Sequence, residues 1–507
     1  MKKTVQLLNS LTKKTKIMKK YIAIAALLSC SGLAASAQQG PKLDTIVNHA
    51  AQSLINNHPR MGCSAAIVKN GKTYFYNSGN ANGQTLYEIG SISKSFSSLI
   101  LAHAVLEKKV KLTDDIRKYL AGEYPNLAYQ GRPIELLHLV NLTSGLPNNM
   151  PDSPGSFKGL SDDTMPFAFV KSHQNYTRED LLKDLHLVNL DTVPGFKPAH
   201  SNSAAKLLVY LLENIYHQPY SVLLKQYILG PLRMNHTYLD VPDGQQQYLA
   251  KGYTPKGLLM PYIPKYDVPA FGLKSTISDI AKYTRYQLSE KNTAVRMTHQ
   301  VTWGDAHHFA LGMNWFMDVT GDGKRQINDD GTTFGFTAYI LLYPETRYGV
   351  ALLTNEYDND SNTKLGDLAE RIFKEDHYTA AEQASDGFGF SASINLLLNA
   401  LKKKGFTRAA TVTAELKMHN PKFHLDENEV NNWAYALLSK GKKTEAVEIF
   451  KLNVGLHPDS WNTYDSLGDG YTAAGNNELA IKNYQRSLEL NPKNENAVEQ
   501  LKKLEKQ

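Results

Sequence analysis

The stretch that decides the fold is Tyr87-Glu-Ile-Gly-Ser91-Ile-Ser-Lys94-Ser-Phe96. Ser91 follows Gly90 and opens residues 91–108, a mostly apolar run that reads as a helix. Residues i and i+3 share a helix face, so the Ser91 hydroxyl and the Lys94 amine can lie side by side. A serine hydroxyl is a weak nucleophile until a base takes its proton. A lysine is that base only where burial or nearby charge lowers its pKa. The helix N-terminus adds a favourable dipole and free backbone N–H groups for an oxyanion. Ser-x-x-Lys also occurs at Ser10, Ser203, Ser361 and Ser439, and for an isolated copy a solvated lysine behind a capping serine is the plainer reading. The place of Ser91, on an apolar helix just after an N-terminal hairpin, singles it out.

Working outward, Ala65-Ala-Ile-Val68, the turn pair Asn70-Gly71 and Thr73-Tyr-Phe-Tyr76 predict a β-hairpin. Helical spacing precedes it at 43–56 and recurs at 178–186, 203–217, 219–228 and 276–290. Pro and Gly make a loop-rich middle from 145 to 165. Strands are predicted at 309–317, 337–343 and 349–354, with Pro344-Glu-Thr-Arg347 turning between the last two, then a helix at 364–376. This order predicts an α+β domain over 43–377, its antiparallel sheet built from both ends of the segment, flanked by helices and joined to an all-helical region.

Residues 393–507 differ. Gly441, Ala446, Phe450 and Pro458 recur 34 residues later as Gly475, Ala480, Tyr484 and Pro492. That period, with small residues where helices cross and Pro after the second helix, is the tetratricopeptide signature. Clear units fall at about 425–458 and 459–492, and 393–420, with Gly405 at its turn, reads as a degenerate third pair. Such arrays form concave surfaces that bind a peptide or pack on a neighbouring domain.

Hydrophobic residues are 42% and charged residues 21% of 507, which suits globular domains and excludes a disordered or collagen-like chain. The formal charge of +7 is local: residues 1–37 hold seven lysines and no acid, leaving 49 basic against 49 acidic residues. A neutral remainder offers no general electrostatic case for nucleic acid or anionic lipid. Those lysines, a short apolar run and Ala35-Ser-Ala37 predict a secretory signal peptide over 1–37. Met18-Lys-Lys would also begin a normal leader, and Leu27-Leu-Ser-Cys30 resembles a lipoprotein cleavage box. The expected location is therefore secreted or periplasmic, with a lipid-anchored variant at Cys30. Cys63, alone after the leader, reads as a buried, inert thiol.

With these residues in place, the sequence resembles the serine β-lactamase and penicillin-binding-protein superfamily, and within it the class C-type serine hydrolases, which include esterases and D-amino-acid peptidases. Further matches run in order over about 43–375: Leu136 to the Thr143-Ser-Gly-Leu-Pro147 turn, Pro194-Gly195 before Ser201-Asn202, Gly272-Leu-Lys-Ser-Thr-Ile-Ser-Asp279, Leu311-Gly-Met-Asn-Trp315, and Gly331, Gly335-Phe336 and Leu353-Thr-Asn355. The resemblance implies acylation of Ser91 with Lys94 as base, and no metal or organic cofactor. It implies that Asn202 hydrogen-bonds Lys94 and the substrate amide, and that the N–H groups of Ser91 and Thr332 hold the oxyanion.

Two positions depart from the family pattern. Its tyrosine falls on His200, which could serve as auxiliary acid/base or could mark a lost relay. Its Lys/His-x-Gly motif falls on Asp329-Asp330-Gly331, unless those aspartates only form a solvated turn. An anion there would disfavour substrate carboxylates: two unit charges at ~4 Å interact by about 4 kcal/mol at an effective dielectric of 20. The expected activity is hydrolysis of a small ester, a D-amino-acid compound or a wall-type peptide, with weak or no β-lactamase activity. The alternative is a catalytically impaired protein that binds a peptide or wall fragment and recruits a partner through its repeats. Asp318–Asp322 and Asp358–Asp360 carry too few ligands for a calcium loop, and His307-His308 would face opposite ways in a strand.

Overall fold

The computed structural model describes residues 40–151, 157, 159–306, 309–320 and 323–504. The predicted leader with Cys30, the Ser10 copy, His307-His308 and Asp322 lie outside the described residues.

The first elements are helix α1 (Gly40–Ile55), strands β1 (Gly62–Lys69) and β2 (Lys72–Gly79), and helix α2 (Ile92–Leu106). Asn70 and Gly71 both take positive φ, 51° and 79°, the pattern of a two-residue hairpin turn. Helices α3 (Asn202–Tyr216) and α4 (Ile277–Ser289) follow. Then come strands β3 (Trp303–Asp305), β4 (Phe309–Gly312), β5 (Trp315–Val319), β6 (Arg325–Thr332), β7 (Thr337–Tyr343) and β8 (Tyr348–Thr354), and helix α5 (Ser361–His377). The predicted single strand over 309–317 is in fact two strands. Met313 and Asn314 both take left-handed φ, 48° and 71°, and turn the chain back.

These strands form one eight-stranded sheet in the order β2-β1-β8-β7-β6-β5-β4-β3. Its central pairings are antiparallel, with Cys63 opposite Thr354 and Thr337 opposite Thr354, so both ends of the segment meet at mid-sheet as expected. β8 is buried along its whole length and β1 from Gly62 to Val68, because helices cover both faces. On one face Tyr343 stacks on Phe373 of α5, ring centroids 3.8 Å apart. On the other, α4 lies so close that a Cβ on Gly349 would sit 2.6 Å from Leu288. Cys63 is a free, buried thiol whose pKa burial pushes up to about 12, so it stays protonated.

The chain divides into two compact units, with 305–309 and 317–326 grouping with residues from 378 onward. The helices of the second are α6 (Ala392–Lys404), α7 (Ala409–His419), α8 (Glu427–Ser439), α9 (Lys443–Leu456), α10 (Trp461–Ala474), α11 (Asn477–Leu490) and α12 (Glu495–Leu504). Gly441 and Gly475 turn α8 into α9 and α10 into α11 with φ of 76° and 80°. Ala446 and Ala480 are fully buried, as are Phe450 and Tyr484, the aromatic members of the repeat. Gly470 leaves room for the Phe450 ring and Gly468 for Tyr484, where a Cβ would come within 2.7 and 2.6 Å. Among the described residues no helix is long and apolar enough to cross a membrane.

Candidate active site

Two glycines seat β6 against the entry to α2. A Cβ on Gly90, whose φ is +56°, would lie 2.3 Å from the Thr332 nitrogen. A Cβ on Gly331 would lie 2.1 Å from the Ile89 carbonyl oxygen and 2.8 Å from the Ser91 nitrogen. Only residues without side chains allow this approach. It brings the backbone N–H groups of Ser91 and Thr332 to one corner.

Ser91 is the N-cap of α2, yet its hydroxyl makes no capping hydrogen bond. The Lys94 amine donates to it instead, Nζ to Oγ 2.5 Å. Lys94 is only 3% exposed, with the Phe271 ring 5.6 Å from its nitrogen. Burial pushes the amine down to about 8, against the opposing pull of Asp329 and Asp330. The other described Ser-x-x-Lys copies do not close this way. Lys206 pairs with Asp267, Ser361 donates to Asp358, and Ser439 donates to the Ala436 carbonyl.

The second motif hangs on the turn after Pro147. Ser201 caps α3, its hydroxyl donating to the Pro147 carbonyl (2.8 Å) and accepting from the Ala204 N–H (3.0 Å). The N–H groups of Asn202 and Ser203 both donate to the Asn148 carbonyl. His200 Nδ1 lies 2.8 Å from Asn148 Oδ1. With that oxygen as acceptor, Nδ1 carries the proton and Nε2 keeps its lone pair. The His200 residue is exposed, but the crowding around its ring and the neighbouring Lys94 both push its pKa down from the ordinary value. Among the described residues no hydrogen bond joins His200 to Ser91.

Asn202 corrects the expectation placed on it. Its side-chain amide donates to Asn149 Oδ1 (3.0 Å) rather than meeting Lys94, and its own Oδ1 is buried without a partner. Asn148 and Asn149, which hold His200 and Asn202, were missed by the sequence reasoning; the only signal was an amide pair directly after the Thr-Ser-Gly-Leu-Pro turn.

Asp329 and Asp330 stand in the body of β6, opposite Ile340 and Tyr339, so the solvated-turn reading is overturned. Strand alternation sends their side chains to opposite faces. Asp330 accepts from the Asn362 amide of α5. Asp329 is only 3% exposed, so it cannot meet a substrate carboxylate as expected. Burial, reinforced by Asp330, pushes its carboxyl well above the usual range, against the pull of Lys94 and a hydrogen bond from Ser95. One of its oxygens, Oδ2, has no hydrogen-bond partner. The family's cation is absent here, and what replaces it is a submerged acid under Lys94. Among the described residues no three His, Cys, Asp or Glu side chains converge as a metal site.

The beta-lactamase family model matches residues 44–372, and the chain belongs to that family of serine hydrolases. It is 26% identical to a beta-lactamase of Pseudomonas fluorescens, over 63% of this chain and 95% of that protein. It is 26% identical to a beta-lactamase of Escherichia coli strain K12, over 69% of this chain and 97% of that protein. It is also 26% identical to protein flp of Staphylococcus aureus strain MRSA252, but spans only 62% of that protein's length. A solved beta-lactamase/D-alanine carboxypeptidase from Yersinia pestis, crystallised with citrate, shares the fold at a TM-score of 0.55 and 23% identity, over 66% of this chain and 99% of that one.

Proposed function

We propose that this chain is a class C-type serine hydrolase that acylates Ser91, with Lys94 as the base, on small esters, D-amino-acid compounds or wall-type peptides. The observation that carries the reading is the buried Lys94 amine 2.5 Å from the Ser91 hydroxyl. In the neutral amine form, Nζ takes the hydroxyl proton as Oγ attacks the substrate carbonyl. The oxyanion then sits between the Ser91 and Thr332 N–H groups. Collapse expels the leaving group, which recovers the proton from Lys94 directly or through His200 Nε2. Water attacks the acyl-enzyme carbonyl, giving its proton to the same base, and Ser91 is restored. Asn202 Oδ1, buried and unpartnered, is the acceptor left for a substrate N–H.

Loss of the family's cation at Asp329 removes an attraction for carboxylates, so β-lactamase activity is expected to be weak. This is milder than the repulsion that the charge reversal alone suggests, because the Asp329 carboxyl is submerged and resists ionisation. The catalytically impaired reading rests on one observation, the turning of the Asn202 amide towards Asn149. Secretion by the leader and a tetratricopeptide-type array that binds a peptide or protein partner belong to the same proposal. The test is a substrate panel: nitrophenyl acetate and butyrate, D-alanyl-D-alanine peptides with free and amidated C-termini, and a penicillin. Turnover of the esters or the amidated peptide, lost in Ser91→Ala, supports the hydrolase. Stoichiometric binding without turnover supports the impaired form.

A further inference from the structure

A cavity of about 650 Å³ lies outside the Ser91–Lys94 cleft, against α3, within the range of small-molecule sites. Its walls carry four phenol rings, Tyr176, Tyr210, Tyr220 and Tyr266. Two cations stand on two of these rings: Arg178 lies 5.1 Å from the Tyr210 centroid and Lys206 5.0 Å from that of Tyr176. Those ring faces are therefore taken, which argues against a cationic ligand. Lys206 is satisfied by Asp267 (2.9 Å) and the Met150 carbonyl (2.5 Å), and it is buried.

Donors remain at one end. Arg178 pairs with Glu213, whose other oxygen accepts from the Tyr220 N–H at 2.7 Å, so that carboxylate is occupied. A guanidinium has five N–H donors, and one carboxylate oxygen does not exhaust them. Lys265, 86% exposed, adds charge at the mouth, and its pairing with Asp240 is solvent-screened. The Tyr220 hydroxyl is buried without a hydrogen-bond partner.

The geometry points to a second ligand site here, for a small aromatic acid whose ring packs between the tyrosine side chains and whose carboxylate meets Arg178. The site is wired to the catalytic turn. Lys206 holds the Met150 carbonyl, and the same turn carries Asn148 and Asn149, which hold His200 and Asn202. A ligand that shifts Lys206 or Tyr176 displaces this turn, so occupancy alters kcat at Ser91 without competing for the cleft.

The test is titration calorimetry on the full chain with 3-phenylpropionate, its uncharged amide, and 3-phenylpropylammonium. The acid is expected to bind one to one, about tenfold tighter than either analogue. Binding persists in Ser91→Ala, which separates this site from the proposed catalytic one. Arg178→Gln, at an exposed position, removes the preference for acid over amide. Val209→Trp, which fills the cavity, removes binding of both. With a nitrophenyl ester as substrate, saturating acid changes kcat at least about twofold in wild type and not in Val209→Trp. Absence of acid binding, preference for the ammonium, loss of binding in Ser91→Ala, or binding indifferent to Arg178→Gln overturns the site. Unchanged kcat at saturation overturns the coupling alone.

Discussion

The Cα of Gly331 faces the Ser91 nitrogen so closely that a methyl group on it would lie 2.8 Å away, and 2.1 Å from the Ile89 carbonyl. The two N–H groups proposed for the oxyanion depend on this contact between a strand and a helix entry. Gly331→Ala must push β6 off the start of α2. Loss of one oxyanion donor costs about 3 kcal/mol, or on the order of a hundredfold in kcat. Steady-state kinetics on a nitrophenyl ester should show that fall with circular dichroism unchanged; full kcat in this variant would remove Thr332 from the proposal.

The Lys94 base sets the pH profile. Its pKa is lowered to about 8, and only the neutral amine accepts a proton, so kcat/KM should rise with pH through about 8 and then level off. A profile flat from pH 6 to 9 contradicts Lys94 as the base.

The same burial has a cost in stability. A folded-state pKa near 8 against an ordinary 10.5 corresponds to roughly 3 kcal/mol of destabilisation. The cost is present in full below pH 8, where both states are protonated, and fades as pH rises towards 10.5. Lys94→Met should therefore be inactive yet more stable at pH 7 by up to about 3 kcal/mol, with the gain shrinking above pH 8. Urea unfolding at pH 7 and pH 10 measures it; a variant less stable at pH 7 would mean the amine makes stabilising contacts that outweigh desolvation.

Crowding around its ring and the neighbouring Lys94 move His200 below its ordinary pKa. With the imidazole pushed down, the ring stays neutral through pH 6–9, so His200→Tyr should change the height of the rate profile and leave its midpoint in place. Asn148→Ala frees Nδ1 and should lower kcat about tenfold through loss of the fixed tautomer. A midpoint that moves in His200→Tyr would make the histidine the titrating base.

Asp329 pulls the Lys94 pKa upward, so Asp329→Asn should move the kcat/KM midpoint to lower pH. A midpoint that stays put would mean the carboxyl is already uncharged when Lys94 titrates.

Local chemistry carried most of the legible fold. Asn70-Gly71 marked a hairpin, short apolar runs on either side of the Pro344–Arg347 turn marked β7 and β8, and the 34-residue recurrence marked the helical pairs. The strand expected over 309–317 failed because Met313 and Asn314, and not the adjoining Gly312, adopt the left-handed backbone that turns the chain. At the site, the Ser91–Lys94 pairing follows from helix spacing alone, whereas the orientation of Asp329 does not. Its residue type suggests water; its strand register buries it beneath the amine. The asparagines at 148 and 149 act through a turn some fifty residues before the side chains they hold, a relation that no local pattern encodes.

The central claim is a serine activated by a buried lysine, and intact-mass spectrometry after treatment with a fluorophosphonate tests it most directly. One phosphonyl group should add per chain, at Ser91, at a rate rising through about pH 8, with none in Ser91→Ala and almost none in Lys94→Met. A folded protein left unlabelled from pH 6 to 9, or labelled equally in Ser91→Ala, would contradict it.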